Sequence, residues 1–86
     1  MNKLTVERIR IFYDYCIIYK NKSFESSLWI IRLILTVPTW SYNSHSSFRY
    51  NFIPSIVKLV NENTDINIMI KNKTKYKSDI IIITVE

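Results

Sequence analysis

Eighty-six residues, nearly half of them hydrophobic, make one small domain with a modest core; the chain is too short for two domains and too apolar for a disordered tail. A single cysteine, Cys16, excludes an internal disulfide. The net charge of +5 favours anionic partners over cationic ones.

Gly, Ala and Gln are absent, and Ile, Asn, Lys, Tyr and Phe make up about half the chain. Those five residues have AT-rich codons, so the composition carries the stamp of an AT-biased genome. The N-terminal MNKLTVERIR has charges where a secretory signal needs an apolar core. An intracellular setting, cytoplasmic or in the nucleoid or nucleus, is therefore expected.

LTVERIRIFYDYCIIYKNK reads as a first helix, with Thr5 as N-cap, Leu4 and Ile9 as a hydrophobic staple and Glu7 in the first turn. Lys20 and Lys22 stand at the far end, where cations suit the helix dipole. Val6, Ile9, Phe12, Tyr13, Cys16, Ile17 and Tyr19 gather on one side. The alternation of Ile9, Ile11, Tyr13, Tyr15, Ile17 and Tyr19 would also suit a strand, but the end signals favour the helix.

SFESSLWIIRLILTV follows, with Ser23 as a candidate cap, Glu25 in the first turn and Pro38 as the stop. Residues 28–37 are apolar on all sides apart from Arg32, so burial is expected and periodicity cannot separate helix from central strand. This run is far short of the roughly 20 apolar residues a membrane-spanning helix needs. PTWSYNSHSS is a polar loop. FRYNFIPSIVKLVNEN reads as a helix with Pro54 in its first turn, an inward stripe of Ile56, Val57, Leu59 and Val60, and an exit turn at Asn61, Asn63 and Asp65.

INIMI alternates as a strand, KNKTKYKS turns, and DIIIITV is a β-branched run. The pair predicts a β-hairpin with a basic tip at residues 71–77. Four consecutive isoleucines predict burial on both faces, or a partner strand over the second one. The fold class is thus α+β, a single domain over residues 1–86 with three helices followed by a β-hairpin. The alternative is a three-stranded sheet with two helices. There residues 28–37 form a strand, Ile66 to Ile70 lies parallel to it, and Asp79 to Val85 lies at an edge, open to self-association.

The helix IPSIVKLVNEN, the strand INIMI, the tip KNKTKYK and the closing DIIIITVE together resemble winged helix-turn-helix proteins, including MarR-like regulators. The opening RIRIFYDYCIIYKNKSF is similar to the first helix and turn of such domains. The resemblance implies that the third helix enters the DNA major groove and that the hairpin touches the backbone or minor groove. Arg49, Asn51 and Ser55 are then groove readers, and Lys58, Lys71, Lys73, Lys75 and Lys77 contact phosphates. Asn61 is a further group able to meet a base.

The tip has a physical case of its own. Alternate residues on a strand share a face and lie about 6.6 to 6.8 Å apart, near the repeat of a phosphate chain. Tyr76, on the other face, can stack on a base or sugar. Four neutralised phosphates give a log–log salt slope of roughly −3 to −4. The plainer alternative is a solvated tip whose lysines guard a strand edge.

Catalysis is not expected. Cys16 lies on an apolar stripe, His45 is the only histidine, and no carboxylates show paired spacing. Asp65 and Asp79 flank the hairpin, where pairing with tip lysines or turn capping is expected. One His and one Cys cannot close a zinc tetrahedron, and no glycine loop exists to cradle a phosphate, so neither metal, cofactor nor small-molecule substrate is expected. The expected function is a small basic DNA-binding protein of winged-helix type. The alternatives are an α+β interaction module forming a homo-oligomer or complex subunit, and a reading frame without evolved activity.

Overall fold

A computed structural model describes residues 3–38, 47–72 and 80–86. The described residues form an α+β domain with three α-helices and a three-stranded antiparallel sheet. In chain order these are α1 (Lys3–Ile17), β1 (Lys22–Ser27), α2 (Leu28–Ile34), α3 (Ile53–Asn63), β2 (Ile68–Asn72) and β3 (Ile80–Val85). A π-helical turn, Phe48–Phe52, leads directly into α3.

Helix α1 buries Ile9, Phe12 and Cys16, spaced to lie on one side. It begins at Lys3, so Thr5 lies within its first turns and is not the N-cap. It also stops at Ile17, before Lys20 and Lys22. The chain reverses through Asn21, at φ 64°, whose N–H donates to Val85 O at 2.7 Å. Asparagine tolerates this left-handed conformation better than most side chains, and here it stands where glycine commonly does.

Residues 23–37, expected to form one helix or one central strand, divide instead. KSFESS is β1, and the helix starts only at Leu28. The cap is Ser27, whose Oγ accepts from Trp29 N–H at 3.2 Å; Ser23 and Glu25 belong to the strand. Ser23 Oγ hydrogen-bonds Thr84 Oγ1 across to β3, at 2.8 Å. Nor is α2 buried all round. Leu28 and Ile31 face the core, whereas Leu33 is 77% exposed, with Trp29 and Ile30 also exposed.

Arg32 is buried. Its Nη1 donates to Pro38 O at 3.0 Å, and its guanidinium lies 4.4 Å from the Phe48 ring centroid. Phe48 stacks on Phe52 at 5.0 Å, and Arg8 covers Phe52 at 5.5 Å. Two cations thus close the ends of a two-ring stack, each cation over an electron-rich face.

Pro54 accounts for the π turn before α3. Lacking an N–H, it cannot continue the four-residue ladder, and its ring crowds the carbonyl one turn back. Ile53 N–H reaches five residues back, to Phe48 O. Beyond this turn α3 buries Ile53, Ile56 and Val60, with Val57 and Leu59 packed at the margin.

The strand order is β1-β3-β2, with both pairs antiparallel. Three expectations are corrected here. Residues 66–70 run parallel to nothing. Of Asp79 to Val85, the described part, Ile80–Val85, is not an edge: β3 is central with β1 and β2 on its two hydrogen-bonding sides, so a second copy cannot pair along it. The isoleucine run is not buried on both faces. Ile81, Ile83 and Val85 are buried, while Ile80, Ile82 and Thr84 are half-covered on the outer face. The hairpin does follow the helices, but β1 joins it as a third strand.

Two predictions concern this body. Thr36, a β-branched residue at φ 53°, sits in a conformation that costs L-residues about 1–2 kcal/mol. Thr36→Gly relieves this, partly offset by a more flexible unfolded chain. Urea unfolding is expected to show stability unchanged or raised by up to about 1 kcal/mol. Burial pushes the Cys16 thiol up from 9.0 to about 12. The native thiol is expected to resist a disulfide reagent that the unfolded chain consumes. Because the unfolded thiol ionises first, the stability linked to this group is complete below pH 9.0 and is lost as pH rises towards about 12.

Candidate nucleic-acid interface

The exposed side of the third helical stretch carries Asn51, Ser55, Lys58 and Glu62 at spacings of four, three and four, one stripe on a helix. Asn51 donates through Nδ2 to Ser47 Oγ at 3.4 Å. Ser55 opens onto a small cleft of about 160 Å³ between α1 and α3, lined also by Thr5, Arg8 and Phe52. Lys58 Nζ lies 4.0 Å from Glu62 Oε1, one turn on, and both side chains are exposed. Such a pair is worth little in water, so the ammonium is readily released to a stronger anion.

Arg49 differs from the others. It sits in the π turn, only partly exposed, and its Nε and Nη2 are buried without a hydrogen-bond partner. It does not stand out from the helix as a groove reader would. Tyr50, the next residue, is 61% exposed.

Asn61 is not free to meet a base. Its Nδ2 donates to Ile68 O at 3.1 Å, and its Oδ1 accepts from Ile68 N–H at 2.7 Å. The side-chain amide thus occupies the outer edge of β2 as another strand's peptide group would. Asn67 and Glu86 exchange two bonds of 2.8 Å on the opposite side of the same strand path. The clamp fixes α3 alongside β2, and Lys58 and Ile70 line one cleft between them.

Lys71 is exposed near the end of β2. Register puts it opposite Ile82, which is in turn opposite Glu25, so the three form one row on the outer face of the sheet. Lys73, Lys75, Tyr76 and Lys77 lie outside the described residues, as do His45 and Asp79. Asp65 accepts a hydrogen bond from Tyr13 Oη at 3.1 Å, which ties it to α1 and raises the Tyr13 pKa.

Sequence reasoning did not find the arginine–phenylalanine stack or the Asn61 clamp. Neither has a local signature: Arg8 and Phe52 are far apart in the chain, and an Asn near a helix end reads as a turn former. No group of three or more His, Cys, Asp or Glu suited to a metal ion occurs among the described residues. No helix among them is long and apolar enough to cross a membrane. Comparison with protein-family models, with curated proteins and with solved structures finds no match.

Asn61→Ala leaves the Ile68 N–H and C=O without their partners, at a cost of about 1–3 kcal/mol. Hydrogen exchange is expected to accelerate at the Ile68 amide while the Asn67 and Glu86 amides stay protected. Uniform acceleration across the sheet would mean that the clamp holds the whole domain together, and not merely one edge.

Proposed function

We propose that this chain is a small nucleic-acid-binding domain of winged helix-turn-helix type, which takes duplex DNA chiefly through its phosphates. One observation carries the reading. The polar stripe of α3 and the strand that leads to the lysine-rich tip are locked side by side through Asn61. The hairpin that follows α3 directly, and is braced by β1, is similar in arrangement to the wing of that family. Lys58 and Lys71 are exposed cations on these two elements, and Lys73, Lys75 and Lys77 continue the row in the sequence. Asn51 and Ser55 are the base-facing candidates on the exposed helix stripe. Glu62, on the same stripe, opposes phosphate and limits affinity.

A second reading, an interaction module that pairs with another protein or with itself, draws on α2. Trp29, Ile30 and Leu33 are exposed beside an apolar cleft of about 390 Å³ bounded by Val37 and Pro38. A concentration-dependent mass in solution would favour it.

Binding to a short labelled duplex, followed by fluorescence anisotropy across a salt series, tests the first reading. Weak, salt-sensitive binding is expected. Replacing Lys71, Lys73, Lys75 and Lys77 together by Ser should remove about 3 to 4 from the log–log slope. Absence of binding at about 50 mM salt, where such contacts are strong, would end the nucleic-acid reading.

A further inference from the structure

We infer that the Nε–Nη2 edge of Arg49 is a phosphate-binding fork, an anchor for one backbone phosphate and not a reader of bases. A guanidinium presents Nε–H and one Nη–H as two parallel donors, matched to two oxygens of a single oxyanion. In this structure those two nitrogens, Nε and Nη2, are the pair buried without a partner. Buried cationic donors are ordinarily satisfied, so this pair would be completed by an acceptor of that geometry, which must displace the side chains covering it.

The chain does not supply one among the described residues. No carboxylate there pairs with Arg49, and the described ion pair on α3 is Lys58–Glu62. No acidic residue occurs between Ser47 and Asn61, so the π turn and most of α3 are free of competing negative charge. The other guanidiniums nearby are committed: Arg8 to Leu35 O and Phe52, Arg32 to Pro38 O and Phe48. Of these three, Arg49 is the one whose Nε and Nη2 are buried with no hydrogen-bond partner.

Its backbone setting is equally specific. The π turn forced by Pro54 widens the helix at residues 48–52, and such turns are frequent at functional sites. Arg49 is itself partly exposed, between buried Phe48 and exposed Tyr50, so the position lies at the boundary between core and surface. A phosphate, with its several strong acceptor oxygens, suits this donor-rich and acid-free surrounding better than a base edge does.

The inference rests on the proposed function only for the source of the phosphate, and the two can fail separately. The Arg49 Nε–H resonance of the labelled full chain is followed during titration with inorganic phosphate, sodium acetate and a short duplex, for wild type, Arg49→Lys and Arg49→Gln. Backbone spectra establish that each variant is folded. A saturable downfield shift with phosphate and with duplex, but not with acetate, is expected. Arg49→Gln should lower the salt slope for duplex by about 0.9, the value of one phosphate contact. Arg49→Lys should keep that slope yet bind about tenfold more weakly, because a point charge cannot make the paired bonds. An equal response to acetate, or an Arg49 resonance unmoved while duplex binds, would overturn the fork and leave the proposed function standing. Relaxed base preference in Arg49→Gln with an unchanged slope would overturn it in favour of a base reader. A phosphate response without duplex binding would support the fork and overturn the proposed function.

Discussion

Everything in this domain is hung from one strand. Ile81, Ile83 and Val85 drive the inner face of β3 into the core, while β1 and β2 occupy its two sides. Each helix is then joined to that strand by a short covalent or hydrogen-bonded link. Asn21, just beyond α1, donates to Val85; Ser27 is at once the last residue of β1 and the cap of α2; Asn61 of α3 grips Ile68 of β2. Losing the apolar alternation of β3 would therefore release the sheet from all three helices, leaving them joined to one another through Arg8, Arg32 and the Phe48–Phe52 stack.

The positive charge is sorted by chemistry. The delocalised, weakly hydrated guanidinium can be laid on an aromatic face, and Arg8 and Arg32 are used in this way at the ends of the Phe48–Phe52 stack. The compact, strongly hydrated ammonium groups of Lys20, Lys22, Lys58 and Lys71 stay on the surface. Net charge alone would overstate what faces a partner, because part of it cements the interior. It also explains how a core can hold cations without buried carboxylates opposite them: the ring faces and carbonyl oxygens supply the negative potential.

Much of this architecture was legible in the chain. Pro54 announces a helix start because only a first turn tolerates its missing N–H, and the alternation around INIMI and the isoleucine run announce paired strands. The rest was hidden for identifiable reasons. KSFESS has the composition of a helix entry, yet it is a strand because β3 offers it a complete ladder, which outweighs local preference. The apolar run after it could not declare its own form, since a period is visible only where polar residues mark one face. Thr5 reads as a cap only if the helix begins after it, and nothing local forbids an earlier start. Among the candidate contact residues, Asn51, Ser55 and Lys58 do share an exposed stripe, whereas the sequence did not disclose Arg49's partial burial in a π turn or Asn61's bonds to Ile68. Both depend on contacts that close only in three dimensions.

Strand order and chain order differ in one respect with a consequence for biosynthesis. The middle strand of the sheet is the last of the three to be translated. Until it is made, β1 and β2 have no strand between them, and α1 and α3 have only each other to pack against. The sheet therefore closes only once β3 is made, in an event that joins Lys22 to Val85 across a long stretch of chain. For a product so rich in isoleucine, that interval is when chaperone contact or misassociation matters most.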